Sequence, residues 1–364
     1  MIEQLQGVRE GTPEAACSSR KSETRPVSGK LIDEARGKYG VGPCYAQAYL
    51  EYWQQTRNRS FAKLDEILAV PPPDPMWFEY AMSSRARGRE FYQFVKPRLL
   101  GHERRYLDVG CGFGGCLAAF AENGMEVCGV EIDPQRVELS RATCRDIQLN
   151  EVVHNASIQE ENLASRIGTF DVITCLDVIE HVLDVPESLA RMYELLNPGG
   201  LLILEIPNKD AVSFVCSDGH FNLFGITQLD REPSIAYHKR FFSFEYDVGY
   251  YFPLDYYDSL LSGKGMWCQT MASPFHELRC PDSLPRLGKM LARAYAKYLL
   301  RTARHLPPSL NAQLNFRLGR YMASLAYNAA KRRLGRLESS LYEKRFLTDF
   351  WVLLARKPSS SESR

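Results

Sequence analysis

The chain has 364 residues, 45% of them hydrophobic and 24% charged, enough apolar material for one large domain with additions or for two domains. Lys+Arg exceed Asp+Glu by only one (45 against 44), so overall charge selects no partner. The opening MIEQLQGVREGTPEAAC lacks a basic region followed by an apolar run, and no apolar run approaches the ~20 residues that span a bilayer, so neither a secretory leader nor a membrane span is expected.

Residues 1–30 are rich in Ser, Glu, Arg and Gly and read as a disordered tail. From 31 to 75 the pattern is helical and aromatic, with Tyr45, Tyr49, Tyr52, Trp53 and Phe61, until Pro71-Pro72-Pro73-Asp74-Pro75 breaks any helix. Strand and helix patterns then alternate. Tyr106–Val109, Val127–Glu131, Val152–Asn155, Phe170–Asp177 and Leu201–Ile206 are predicted strands. The helices between them cover Gly115–Asn123, Pro134–Gln148 and Val185–Leu196. Strands separated by helices imply crossover connections and a parallel sheet covered on both faces, which takes ligands beyond the carboxyl ends of its strands. An aromatic segment runs from 207 to about 263. Met266–Met271 and Phe350–Ala355 are the last two predicted strands, with a helical stretch between them broken at Pro307-Pro308.

None of the ten cysteines forms a Cys-x-x-Cys pair, against a zinc ribbon, and several fall inside predicted strands as small hydrophobes. This usage fits a reduced, cytoplasmic protein.

The densest signal is Leu107-Asp108-Val109-Gly110-Cys111-Gly112-Phe113-Gly114-Gly115. Glycines there let the backbone turn sharply and approach a ligand closely. Glu131 follows Gly110 by 21 positions at the end of the next strand, where a carboxylate can accept hydrogen bonds from both hydroxyls of a ribose. Gly110, Gly112 and Gly115 also satisfy the dinucleotide pattern G-x-G-x-x-G, so a nicotinamide-dependent oxidoreductase is an alternative; a non-catalytic scaffold is another. Asp108 inside the strand, where a dinucleotide site usually has an apolar residue, tilts the choice away from the oxidoreductase.

Leu176-Asp177-Val178-Ile179-Glu180-His181 follows the fourth strand. A helical turn would put Asp177, Glu180 and His181 on one face. Three readings stay open: His181 as a general base, the three side chains as ligands of a hard divalent cation, or Glu180 and His181 as braces for the next helix. His220 or His238 is available to complete a metal site. Tyr237, His238, Phe241 and Tyr256 are candidates for the wall of an acceptor pocket, against the plainer reading of core aromatics.

From His276 to Phe346 there are 15 Lys+Arg against 4 Asp+Glu, an excess of +11 that leaves about −10 for the remainder. Arg286, Lys289, Arg293, Lys297, Arg301 and Arg304 fall on one face of a predicted helix, and a second helix is expected from Ser309 to about Arg336. The stretch 286–336 is expected to contact an anionic acceptor or an anionic membrane, or to be a solvated face. Nucleic acid is disfavoured because no RNA-binding motif accompanies it.

The segments YLDVGCGFGG (106–115), VCGVEID (127–133), FDVITCLDVIEHV (170–182), LNPGG (196–200) and DFWVLLARKP (349–358) together resemble the class I S-adenosylmethionine-dependent methyltransferases, particularly the ubiquinone-biosynthesis O-methyltransferase type. The resemblance implies a doubly wound α/β fold, Rossmann-like and mostly parallel, with seven strands. N-terminal helices would precede it, and a helical insertion (276–342) would interrupt a methyltransferase domain formed by 76–275 and 343–358, with 359–364 a tail. It implies S-adenosylmethionine as cofactor, with Gly110, Gly112 and Gly114 along its methionine part, Asp108 organising the loop and the amino group, and Glu131 on the ribose. Ile132 would pack on the adenine, Ser157 and Ile158 would stand where relatives often place an acidic adenine contact, and Asp177 would face the cofactor. The acceptor would be a small or lipid-like molecule, methylated on oxygen, with nitrogen or carbon as lesser options.

Overall fold

The computed structural model describes residues 26–71, 74–275 and 283–359. The tail assigned to 1–30 falls mostly outside the described residues, as do 276–282 of the insertion and 360–364 of the C-terminal tail. Of residues 26–30, Ser28 caps a helix Gly29–Tyr39 by accepting from the Leu31 N–H, so helix starts slightly before position 31.

Seven strands form one sheet: β1 (Arg105–Val109), β2 (Glu126–Glu131), β3 (Val153–Asn155), β4 (Phe170–Leu176), β5 (Leu196–Pro207), β6 (Trp267–Ala272) and β7 (Phe350–Arg356), in the order β3-β2-β1-β4-β5-β7-β6. The strand order doubles back at β1 and β4, so the sheet is doubly wound as expected. β1 pairs in parallel with β2 and β4, and β2 with β3. Main-chain bonds join Asn208 to Asp349 and Gly200 to Lys357, rising numbers on one strand against falling numbers on the other, so β7 runs antiparallel to β5. β5 begins at Leu196 rather than Leu201, because Asn197-Pro198-Gly199-Gly200 is drawn into pairing with the chain's end.

Two compact units divide the chain. The first comprises the described residues of 26–175 with 187–203 and 356–359. Its N-terminal helices form one core with the helix Pro134–Arg145, through Tyr45, Tyr49, Trp53, Phe78, Leu139 and Ala142. Phe113 packs on this core edge-on to Tyr49, with ring centroids 5.8 Å apart, so the aromatic helices brace the loop that follows β1. Asp146 accepts from the N–H groups of Cys44 and Tyr45 and caps the helix Pro43–Thr56.

The second unit comprises Leu176–Pro186 and Leu204–Ala355. The aromatic segment and the basic helices Leu284–Arg301 and Pro308–Arg333 share one core there, where Phe224 lies 5.4 Å from Tyr298 and Leu314 and Leu318 are buried. The stretch read as an insertion therefore shares its core with the aromatic segment that precedes it. No helix among the described residues is long and apolar enough to cross a membrane.

Candidate functional site

In the first unit, register fixes the chemistry. Asp108 lies opposite Thr174 across β1–β4, and Glu131 opposite Asn155 across β2–β3. Asp108 is buried and accepts from Thr174 Oγ1 at 2.8 Å; Thr174 Oγ1 is also 2.6 Å from the Tyr106 hydroxyl. Burial pushes the Asp108 carboxyl up to about 7, and the charge of Glu131 adds to the rise, while the Thr174 and Tyr106 hydroxyls hold it back.

The chain leaves β1 through Gly110, Gly112 and Gly114, all in the left-handed region (φ 71°, 52° and 75°), which favours glycine at each. At Gly114 a side chain would also meet Ser140, whose Oγ would stand 2.8 Å from an added Cβ. At Gly112 an added Cβ would meet nothing closer than 3.9 Å, so backbone there faces open space. The loop closes on Glu131: the Gly112 N–H donates to Oε2 and the Asp133 N–H to Oε1, both at 3.0 Å. Asn155 Nδ2 donates to the carbonyls of Glu131 and Ile132, and the Ala156 N–H donates to the Glu131 carbonyl, so the end of β3 is tied to the carboxylate's own backbone. Ile132 is 71% exposed, an apolar side chain at the end of β2. Ser157 is half-buried and Ile158 buried; the Ser157 N–H is taken by Glu160, which also pairs with Arg166. Asp108, the three glycines, Glu131, Ile132, Ser157 and Ile158 thus all lie in one unit, around the carboxyl ends of β1, β2 and β3. Asn155 and Thr174 were not singled out from sequence; Thr174 is a polar residue within the mostly apolar β4, and Asn155 ends the short β3, Val-His-Asn.

Asp177, Glu180 and His181 belong to the second unit. The expected helical face does not form. Asp177 sits at φ 56°, and only a single 3-10 turn, Ile179–His181, follows it. The trio that converges is Glu180, His181 and His220, whose ligand-capable atoms lie within 4.8 Å of one another. His220 Nε2 is 3.3 Å from His181 Nε2, and Glu180 Oε1 lies 3.8 Å from the first ring's partner His181 and 3.7 Å from His220. Glu180 is fully buried, and neither carboxyl oxygen has a hydrogen-bond partner among the described residues. Burial, followed by the neighbouring Asp177 carboxylate, raises its pKa well above the ordinary carboxyl value.

The outer nitrogens are held as well. His181 Nδ1 is 3.0 Å from the Asp247 carbonyl, and His220 Nδ1 is 2.7 Å from the Tyr251 hydroxyl. A carbonyl can only accept, so His181 Nδ1 carries a proton. With His181 neutral, its Nε2 accepts, His220 Nε2–H donates to it, and Tyr251 O–H donates to His220 Nδ1. One direction of proton order runs through the four groups. Burial, then His181, lowers the His220 pKa, which favours this neutral form.

Backbone sets the cluster. The N–H groups of Gly249 and Tyr250 donate to the Glu180 carbonyl, and an added Cβ at Gly249 would fall 2.4 Å from the Val182 carbonyl oxygen. Asp218 accepts from the N–H groups of His220, Phe221 and Leu223 and fixes the turn that presents His220; burial raises its carboxyl to about 6. Of the aromatic-wall candidates, Tyr237 and His238 are fully buried, with His238 between Phe221 and Phe242 (4.5 and 4.8 Å), so they are core. Tyr251, Asp247 and Gly249 carried no spacing pattern in the sequence. Asp218-Gly219-His220 did carry a turn signal.

A family model for a methyltransferase domain matches residues 52–272. The ubiquinone biosynthesis O-methyltransferase of Psychrobacter arcticus is 29% identical over 166 residues, 45% of this chain and 62% of that protein. Its namesake from Xanthomonas axonopodis pv. citri is 31% identical over 122 residues, 34% of this chain and 51% of the other. The chain thus spans less than two thirds of the length of these relatives. Among solved structures, an S-adenosylmethionine-dependent methyltransferase from Archaeoglobus fulgidus is 16% identical with a TM-score of 0.42, covering 78% of this chain and 98% of that one. The amino pentose methyltransferase CalS10 from Micromonospora echinaspora, solved with S-adenosylmethionine bound, is 25% identical with a TM-score of 0.30 over 38% of this chain and 56% of its own.

Proposed function

This chain belongs to the class I S-adenosylmethionine-dependent methyltransferases, and from that membership we propose that it transfers the cofactor's methyl group to an oxygen of a small or lipid-like acceptor. The observation that carries the transfer reading is the closure of the glycine loop on Glu131, which leaves a carboxylate fixed by two main-chain N–H groups and still able to accept from a ribose. Gly110, Gly112 and Gly114 would line the methionine moiety. Asp108 would face its ammonium, Ile132 its adenine, and Ser157 and Ile158 the edge of that ring. Family membership argues against the nicotinamide-dependent reading of the same glycines.

The preference for oxygen is supported by the printed name of the relatives and by the His181–His220–Tyr251 chain, which suits removal of a hydroxyl proton. In this reading His181 Nε2 takes the acceptor's proton once His220 turns its donor away, and Asp247 holds the imidazolium through Nδ1–H. The sulfonium supplies the driving force, so alignment of acceptor, methyl and sulfur does much of the rest.

A second reading is favoured by the same cluster. A divalent cation fits Glu180, His181 and His220: both rings present Nε2 inward, both Nδ1 atoms have second partners, and the Glu180 carboxylate is buried without one. Bound there, it would lower the pKa of an acceptor hydroxyl. Two imidazoles and one carboxylate suit zinc or iron better than a hard, oxygen-seeking ion, unlike the expectation from the sequence.

Isothermal calorimetry with S-adenosylhomocysteine and with NAD tests the proposal. Heat with the first and none with the second is expected; the reverse pattern, or no heat with either, would overturn it.

A further inference from the structure

The basic helices are devoid of acidic residues. Residues 283–337 contain no Asp or Glu and twelve Lys+Arg. Six of the cations, Arg286 to Arg304, are exposed along one side of the helix Leu284–Arg301 and its short continuation. They project from a fixed base, since Leu287, Leu291 and Tyr298 bury the other side.

The neighbouring helix Pro308–Arg333 has a second peculiarity. It buries Leu310, Leu314, Leu318, Tyr321, Leu325 and Ala329. At about 100° per residue, its opposite face carries Ala312, Phe316, Ala323, Tyr327 and Ala330, and Leu334 continues the line. That is where an ordinary surface helix would be polar. Phe316, Tyr327 and Leu334 are 64%, 64% and 67% exposed, and on the cationic helix Leu300 is 74% exposed. Arg320, Lys331 and Arg333 flank the apolar line. The two helices, joined by the Tyr295–Asn315 and Tyr298–Asn311 hydrogen bonds, thus both expose large hydrocarbon groups beside cations, without a compensating acid on either.

We propose that this surface is a docking face for an anionic lipid bilayer, lying in the interface with Phe316, Tyr327, Leu334 and Leu300 among the headgroups and the cations on lipid phosphates. Both components of such binding, buried apolar area and attraction to anionic lipid, are built into the same two helices. A second copy of the chain fits worse. A two-fold contact sets a patch against itself, and here it would oppose cations with cations. A polynucleotide would satisfy the cations and stack on the rings, but it gives exposed Leu300 and Leu334 nothing. The proposal goes beyond the transfer reading and does not depend on the acceptor.

The test is sedimentation of the full chain with vesicles of phosphatidylcholine alone and with vesicles in which about a third is phosphatidylserine. The native chain should pellet with the second kind and stay in solution with the first. Lys289→Glu/Arg293→Glu/Lys297→Glu should lower partitioning by about tenfold or more, and less so at high salt. Phe316→Ser/Tyr327→Ser/Leu334→Ser should lower it with the charges intact. All six positions are exposed, and an unchanged midpoint of denaturant unfolding shows that the variants fold. Equal pelleting with both vesicle kinds, none with the anionic kind, or native-like pelleting of both variants overturns the proposal. So does a dimer in light scattering that the Ser variant loses, or an RNA oligonucleotide that binds while anionic vesicles do not.

Discussion

The backbone N–H of Gly112 donates to the carboxylate of Glu131 at 3.0 Å, so the turn after β1 and the acid that ends β2 form one hydrogen-bonded unit. Loss of the acid should therefore act twice, on the proposed ribose contact and on the loop. Glu131→Ala is expected to weaken S-adenosylhomocysteine binding by about 1–3 kcal/mol in calorimetry. An unchanged dissociation constant would remove Glu131 from the ribose.

Cofactor binding should depend on pH through Asp108. Its carboxyl titrates near 7 in the free protein because it is buried. An ammonium brought beside it favours the charged form, so its pKa falls on binding and a proton is released between the two values. Affinity should rise with pH and level off above about 7, by at most about one log unit per pH unit. In the cofactor-free protein a raised carboxyl pKa has the opposite consequence: the folded state binds the proton more tightly, so stability present below the ordinary value of 3.8 is lost as pH rises through about 7. Asp108→Asn should flatten both profiles. Calorimetry in buffers of different ionisation enthalpy, and melting curves across that range, measure them.

The imidazole pair separates the base from the metal. His181→Ala should slow turnover by about 10²-fold or more if His181 takes the acceptor's proton, and near-normal rates would leave it a brace. If a cation occupies the cluster, His220→Ala should abolish stoichiometric zinc or iron binding in equilibrium dialysis. Chelation of the native protein should then slow turnover reversibly. A native protein that retains no metal and ignores chelator leaves the proton chain alone.

Gly249→Ala should destabilise the fold by about 1–3 kcal/mol, since its Cβ would stand 2.4 Å from the Val182 carbonyl oxygen. Denaturant unfolding reads this directly, and a midpoint equal to the native one would show that the loop yields freely.

Much of the first unit was legible in the sequence because its signals are local. Three closely spaced glycines, an acid at the end of the next strand and alternating strand and helix patterns are each visible within a short window. The start of β5 was misplaced, since its early residues pair with chain more than 150 positions away, as Gly200 does with Lys357. The second cluster was half legible. Asp177, Glu180 and His181 stood out, but the spacing argument assumed a regular helical turn. With Asp177 left-handed and one 3-10 turn after it, the third member of the donor set came from His220, 39 residues on. Tyr251 and Asp247 were invisible because their roles come from tertiary placement in a stretch without periodicity.

The main-chain grip on Glu180 bears on which substitutions this loop tolerates. Gly249 and Tyr250 hold it through main-chain N–H groups, which read no side chain. Neighbouring positions of that loop can change identity while the grip persists, provided position 249 stays free of a side chain. Side chains of that loop can then be exchanged while the main chain at Glu180 stays where it is.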